Sequence, residues 1–438
     1  MYKYLSNEMR GLREEIDFLN HYIWLQCEYK NSGAAAEVIE ELKTAVLAAQ
    51  ERLAGMTGDP ALKAAEPDGY EEITALSAGG NLPAKEIPDL EKKMLGALTG
   101  RLIGCMLGVP VEGWHYPELK KYAEDLGMPF PPVDYWTAVP NPEGVHYGVD
   151  RRTHYQKGCI DGAAVDDDVT YTLLGYQILK DYGPGFTTAD IGEAWKKYLP
   201  VACTAEHETL QNLRAGIPAD KAAEHHNPYV QWIGADIRAD GFAWCAAGDP
   251  HLAAEYGYRD AFLSHRRNGI YGEMYFAAAE AAAFTVSDPM DALRIALNEI
   301  PAGCRLHEDL TWALSLCPSI HTWEEAAAAV DARFGEQARI HTNNNACLTV
   351  FGIYLGGRDF TKAVGGTVAL GYDNDCTGAT VGSIMGACLG IDGIPEYWHR
   401  DFHDVVRTYM NGKPEYRISR VAEDLCSMVR ARLEKQNG

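Results

Sequence analysis

The sequence has no Cys-x-x-Cys pair, no surplus of positive charge, no long uninterrupted apolar run and few alternating runs of β-branched residues. Each absence removes a class of protein. The 11 cysteines are scattered and several, such as Cys105, Cys347 and Cys388, sit in apolar settings. That pattern fits buried thiols in a reducing compartment better than disulfides or structural zinc. With 39 Lys and Arg against 62 Asp and Glu, the formal net charge is -23, and no basic stretch offers the phosphate-neutralising footprint of a nucleic-acid binder. No apolar run reaches the roughly 18 residues of a membrane span, and residues 1–28 mix charges with apolar side chains, unlike a signal peptide. The expectation is a cytoplasmic protein with neither nucleic-acid nor membrane partners.

What is present describes a globular chain of 438 residues, 47% hydrophobic and 23% charged, enough for one large domain with an appendage or for two domains. Leu5, Met9, Leu12, Ile16, Leu19 and Ile23 recur at alternating spacings of four and three, and Ile39, Leu42, Val46, Ala49 and Leu53 repeat the pattern after a break at Lys30-Asn31-Ser32-Gly33. This predicts a helical hairpin over residues 1–55 with a coiled-coil-like seam, serving self-association as a homo-oligomer, cover for the main domain, or simply a further helical layer. Residues 56–90, rich in Gly, Pro and acids, read as a linker or arm. From Glu91 to the end at 438 the pattern is helical almost throughout, as in Tyr275 to Phe284 and Glu324 to Phe334, and predicts an all-α domain.

Two features of that domain stand out. Glycine falls at every fourth position at Gly96, Gly100, Gly104 and Gly108, and again at Gly378, Gly382, Gly386 and Gly390. On a helix this makes a stripe without side chains, at a cost of about 0.5–1 kcal/mol per glycine relative to alanine, and predicts two tightly crossed central helices. Arg101 and the flanking Lys92, Lys93 and Asp392 argue against a membrane pair of the same spacing. The second feature is a pair of acidic clusters, Asp166-Asp167-Asp168 and Asp373-Asn374-Asp375, each at the head of an apolar helical stretch. They read either as solvated helix caps or as a site for a hard divalent cation shared by two helices, since such cations take oxygen ligands and helix N-termini hold carboxylates in place.

In order and spacing, Gly96 through Gly108-Val109-Pro110-Val111-Glu112, then Asp166-Asp167-Asp168, then Asp373-Asn374-Asp375 leading into the second glycine helix, resemble the ADP-ribosylglycohydrolase family over roughly residues 91 to 398. Weaker matches lie at Gly234-Ala235-Asp236-Ile237-Arg238 and Ser264-His265. The resemblance implies a compact multi-helix fold around Mg²⁺, one or two ions with Mn²⁺ or Ca²⁺ as alternatives, and hydrolysis of a glycosidic bond at C1 of an ADP-ribosyl group. It implies Asp167, Asp168, Asp373 and Asp375 as metal ligands, Glu112 beside the site as a positioner of metal or water, and His265 against ribose or phosphates. Asp166 and Cys376 join the metal candidates, and Glu112 and Asp168 are the catalytic candidates. Arg238 reads as a phosphate clamp or as an ion-pair partner of Asp236 or Asp240. Asn344, within Asn343-Asn344-Asn345, reads as pocket lining or as a cap of the helix from Ala346 to Tyr354.

Three departures from the family pattern bear on the metal. Asp166 stands where a threonine is expected, Cys376 where a serine or threonine is expected, and Cys105 where an aspartate is usual. A thiol suits a hard cation poorly. The second metal is then held through Asp166, weakened, bound through other oxygens with Thr377 as a fallback, or absent. The partner is an ADP-ribosylated or otherwise glycosylated substrate. The alternatives are another N- or O-glycoside, such as a nucleoside or small sugar conjugate, and a non-catalytic ADP-ribose-type binding protein.

Overall fold

The computed structural model describes residues 2–80, 82–84, 86–137 and 152–437. They separate into two compact units, one of Met1–Lys63 with Phe334–Ala338 and one of Ala64–Arg333 with Arg339–Gly438. The smaller unit holds the helices Tyr2–Glu28 and Ser32–Ala54. Leu5, Met9, Leu12 and Ile16 of the first helix are exposed, and Ala35 of the second is buried.

Residues 64–90 are not a free linker. Glu66 is buried and its carboxylate accepts from Asn268 Nδ2 at 3.1 Å and from the Arg305 N–H at 2.9 Å, beside an ion pair with Arg267. A short helix at Tyr70–Leu76 buries Ile73, and the backbone N–H groups of Gly79 and Ala84 donate to Asn298 and Gly248 carbonyls. The Gly, Pro and acid content that reads as flexible here shapes turns in a segment pinned to the larger unit.

Among the described residues the larger unit is all-α, apart from one antiparallel hairpin of Val405–Met410 and Lys413–Arg417 that pairs Val406 with Tyr416. At its centre lie the helices Leu90–Gly108 and Asn374–Leu389, antiparallel and glycine to glycine. A Cβ added to Gly96, Gly100 or Gly104 would lie under 3.0 Å from the carbonyl oxygen of Gly386, Gly382 or Gly378 respectively. No real Cβ comes that close, so the backbones touch only because the side chains are missing. Gly390 is the exception in the second stripe. It has a positive φ of 72° and ends the helix.

The antiparallel crossing sets the active end. It lays the C-terminus of the first helix against the N-terminus of the second, where Gly108 meets the backbone of Asn374 and Asp375. Around this pair pack Asp167–Tyr182, the fully buried Asn268–Ala283, and Thr342–Gly356. Leu90–Val111 is long and apolar enough to cross a membrane, but 94% of its most apolar window is buried inside the protein, as in a core helix.

Candidate metal centre and active site

Three chain segments deliver carboxylates to one place. The first is Glu112, directly after the 3₁₀ turn Val109–Val111 that ends the first glycine helix. The next residues run beside the entry to the second helix: Gly113 N–H donates to Tyr372 O at 2.9 Å, Tyr372 N–H to Trp114 O at 3.2 Å, and His115 bridges Gly371. Gly371 has a φ of 81°, and a Cβ there would run into the Trp114 carbonyl. Glycine is therefore required where the two strands of chain meet.

The second segment is Asp166-Asp167-Asp168. Asp166 is the N-cap of the Asp167–Tyr182 helix, its Oδ1 accepting from the Asp168 N–H at 3.1 Å. The turn before it is tied to the β-hairpin by Ala163 N–H to Val405 O and by Arg407 N–H to Ala163 O. The third segment is Asp373-Asn374-Asp375-Cys376. Asp373 N–H donates to Asn345 Oδ1 at 3.2 Å, so the first turn of the Thr342–Gly356 helix steadies the second acidic cluster.

Oxygen and sulfur atoms from these segments converge in three groups, each within 4.8 Å: Glu112 with Asp373 and Asp375, Asp166 with Asp167 and Asp168, and Asp168 with Asp375 and Cys376. The groups share Asp168 and Asp375, so they form one centre. The ends of the two glycine helices and the head of the Asp167–Tyr182 helix thus share one acidic cluster.

The electrostatics are those of a cation site. Burial, followed by the charge of Asp167, pushes Asp166 up to about 8, and burial followed by Glu112 pushes Asp373 up to about 7. Burial raises Asp168 and Asp375 well above the usual carboxylate range, and neighbouring acids add to it. Asp375 Oδ1 is buried without a hydrogen-bond partner. Burial of crowded carboxylates is favourable only when a proton or a cation stands between them. These residues therefore fit a divalent ion.

Glu112 differs from the rest. Its side chain is 45% exposed and Arg152 Nη2 lies 3.5 Å away. Surrounding protein raises its pKa, Arg152 opposes the shift, and Asp167 adds to it. It is the acid of the centre that solvent reaches most readily.

Asp168 is engaged on both oxygens. Arg101 Nη2 donates to Oδ1 at 2.9 Å and the Cys376 thiol to Oδ2 at 3.3 Å, and the side chain is 1% exposed. Arg101 and Cys376 thus fix the carboxylate of this catalytic candidate from both sides, while Glu112, the other candidate, is the exposed one. Arg101 was no more than an argument against a membrane in the sequence, yet it is fully buried and central. Besides Asp168 it donates to Thr172 Oγ1 at 3.1 Å, Thr380 Oγ1 at 3.3 Å and Ile237 O at 2.8 Å, and pairs with Asp240 at 3.0 Å. A lone arginine inside an apolar glycine helix is the signal that could have revealed it.

The three substrate-binding candidates are buried and already have protein partners. Arg238 is 1% exposed and paired with Glu206, Asp260 and Glu273, not with Asp236 or Asp240. Three carboxylates and full burial leave no room for a ligand's phosphate. His265 is fully buried, its Nδ1 2.8 Å from Ser264 Oγ, and burial first, then Arg238 and Arg266, hold it well below the usual histidine range. It belongs to the Arg238 cluster. Asn344 is buried and its Oδ1 accepts from Asn345 Nδ2 at 3.0 Å. The triplet is the first turn of Thr342–Gly356 rather than a cap, and His341 is the cap residue. Thr377, the fallback ligand, bonds back to Asp373 O at 3.1 Å.

The fold and site together define an all-α protein whose acidic centre sits at the crossing of two glycine helices. Residues 86–434 match the ADP-ribosylglycohydrolase family, and the chain belongs to that family of glycohydrolases. A solved structure described as an ADP-ribosylglycohydrolase-related protein complex is similar at 19% identity and a TM-score of 0.53, over 78% of this chain and 99% of that one. At that identity the likeness speaks for the fold alone. Comparison with curated proteins finds no match.

Proposed function

We propose that the protein hydrolyses a glycosidic bond at C1 of an ADP-ribosyl or related ribosyl group, with Mg²⁺ as its principal divalent ion. The observation that carries this reading is the meeting of exposed Glu112 with buried Asp373 and Asp375, within 4.8 Å, in a chain of the ADP-ribosylglycohydrolase family. Asp166, Asp167, Asp373, Asp375 and Glu112 would hold the ion. Bound there, it would supply a water of lowered pKa.

The side chains do the rest. Glu112 is the proton acceptor for the attacking water, because it is the most exposed acid of the centre and its pKa is raised. Arg152 orients its carboxylate. The buried aspartates present negative charge where the sugar ring becomes positive as the leaving group departs. Asp168, fixed by Arg101, holds the geometry of the cluster.

Asp166 and Cys376 alter the donor set, and this favours a second substrate class, another N- or O-glycoside such as a nucleoside or small sugar conjugate. The proposal includes a cytoplasmic setting, no nucleic-acid or membrane partner, and self-association through the hairpin of residues 1–55. The test is product release from ADP-ribosylated protein, small ADP-ribosyl conjugates and nucleosides, by metal-loaded and EDTA-treated protein. Release that EDTA stops, and that Glu112→Gln slows by about 10²- to 10⁴-fold, is the expected result. ADP-ribose binding without release from any of them would make this a binding protein. Release untouched by EDTA would remove the metal from the mechanism.

A further inference from the structure

The acidic centre has two chemically different sides that meet at Asp375. On one side Glu112, Asp373 and Asp375 offer oxygen alone. On the other, Asp168, Asp375 and Cys376 bring two carboxylates and a sulfur within 4.8 Å of one another, all three buried. Asp375 Oδ1 is buried without a hydrogen-bond partner. The Cys376 thiol donates to Asp168 Oδ2 at 3.3 Å, so a proton stands between two atoms able to share a cation. Arg101 holds the other oxygen of Asp168 at 2.9 Å and so fixes the direction in which Oδ2 points. Oxygen and sulfur ligands lie about 2.0–2.3 Å from a zinc-like ion, so two ligands of one ion stand within roughly 4.5 Å of each other.

We propose that Asp168, Asp375 and Cys376 form a binding position for a borderline divalent ion of the Zn²⁺, Co²⁺ or Fe²⁺ type, beside the all-oxygen position that takes a hard ion. Sulfur is a poor ligand for Mg²⁺ and a good one for these metals, so the residue at 376 selects the ion. Binding exchanges the S–H bond for an S–metal bond and releases the proton to solvent, with no change of oxidation state. Three protein ligands leave a coordination position open, as in catalytic rather than structural sites. The inference rests on the reading of the cluster as a metal centre and names the ion of its sulfur side.

The experiment is a Co²⁺ titration of EDTA-stripped full-length protein in excess Mg²⁺, followed by absorption, with Mg²⁺ binding measured separately by calorimetry. The expected result is one Co²⁺ per chain, with a strong sulfur-to-cobalt band in the near ultraviolet that Mg²⁺ does not abolish. Cys376→Ser, with its circular dichroism unchanged, should lose the band and keep the Mg²⁺ heat. Co²⁺ bound to the wild type without the band overturns the proposal and leaves the metal reading standing. A band that survives in Cys376→Ser assigns the sulfur to another cysteine and also overturns it. Failure of both ions to bind removes the metal reading, and this inference with it.

Discussion

Arg101 and Asp168 form a buried ion pair at 2.9 Å, with side-chain exposures of 0% and 1%. Arg101 lies on the first glycine helix and Asp168 on the Asp167–Tyr182 helix packed beside it, and the same guanidinium also holds Asp240. Removing a partner from a buried pair leaves an uncompensated charge, at a cost of about 3–5 kcal/mol. Arg101→Met is therefore expected to lower stability in urea unfolding by that order. Arg101→Lys should recover only part, because an ammonium cannot reproduce the planar set of contacts to Thr172, Thr380 and Ile237. A near-neutral Arg101→Met would show that the pair adds nothing.

The glycine crossing predicts a graded response. Gly100→Ala and Gly104→Ala place a Cβ under 3.0 Å from backbone carbonyls, and overpacking of this kind costs about 1–3 kcal/mol despite the better helix propensity of alanine. Thermal melting should show the loss in both. Divalent-ion affinity should fall more in Gly104→Ala than in Gly96→Ala, since Gly104 lies nearer the Asp375 end of the crossing. Equal affinities would separate the crossing from the centre.

For the metal the sign follows from the raised carboxyls. Asp373 at about 7 and Asp166 at about 8 keep their protons in the folded state at pH values where the unfolded chain has lost them. Without an ion, their contribution to stability falls as pH rises from about 4, and the loss is complete above about 8. A bound cation offsets it. The melting-temperature difference between Mg²⁺-loaded and EDTA-treated protein should thus widen from pH 5 to pH 8. A constant difference across that range would count against an ion at these carboxylates.

His341 gives the opposite slope. Its Nδ1 accepts from the Asn343 N–H at 3.2 Å as the cap of Thr342–Gly356, and burial, then Arg305 and Arg267, hold its pKa down at about 4. The unfolded chain binds this proton first, so its contribution is complete above about 6.5 and is lost as pH falls toward 4. His341→Asn keeps a cap acceptor and removes the titration. Its unfolding free energy should vary less between pH 6.5 and 4.5 than that of the wild type, and identical slopes would refute the assignment.

These cases also separate what was legible from what was not. The glycine stripes and the acidic helix heads could be read directly, because a four-residue spacing and an N-terminal carboxylate are local properties of a helix. The segment 64–90 could not, since Glu66 is held by Asn268 and Arg305, far along the chain. The partners of Arg238 and the burial of His265 are hidden from the sequence for the same reason. A sequence shows that an arginine is present but not that Glu206 and Asp260 already surround it.

By itself the sequence determined the all-α class, the two glycine helices and the acidic groups that could meet, because helical period and capping act over a few residues. Only the tertiary structure decided that the helices run antiparallel, which places Glu112 beside Asp373 and Asp375. It also decided that Arg101 locks Asp168, and that the Cys376 sulfur turns toward an oxygen of that aspartate. Those are contacts between residues roughly 70 to 280 positions apart, and only close packing of the helices around the crossing brings such groups within hydrogen-bond reach.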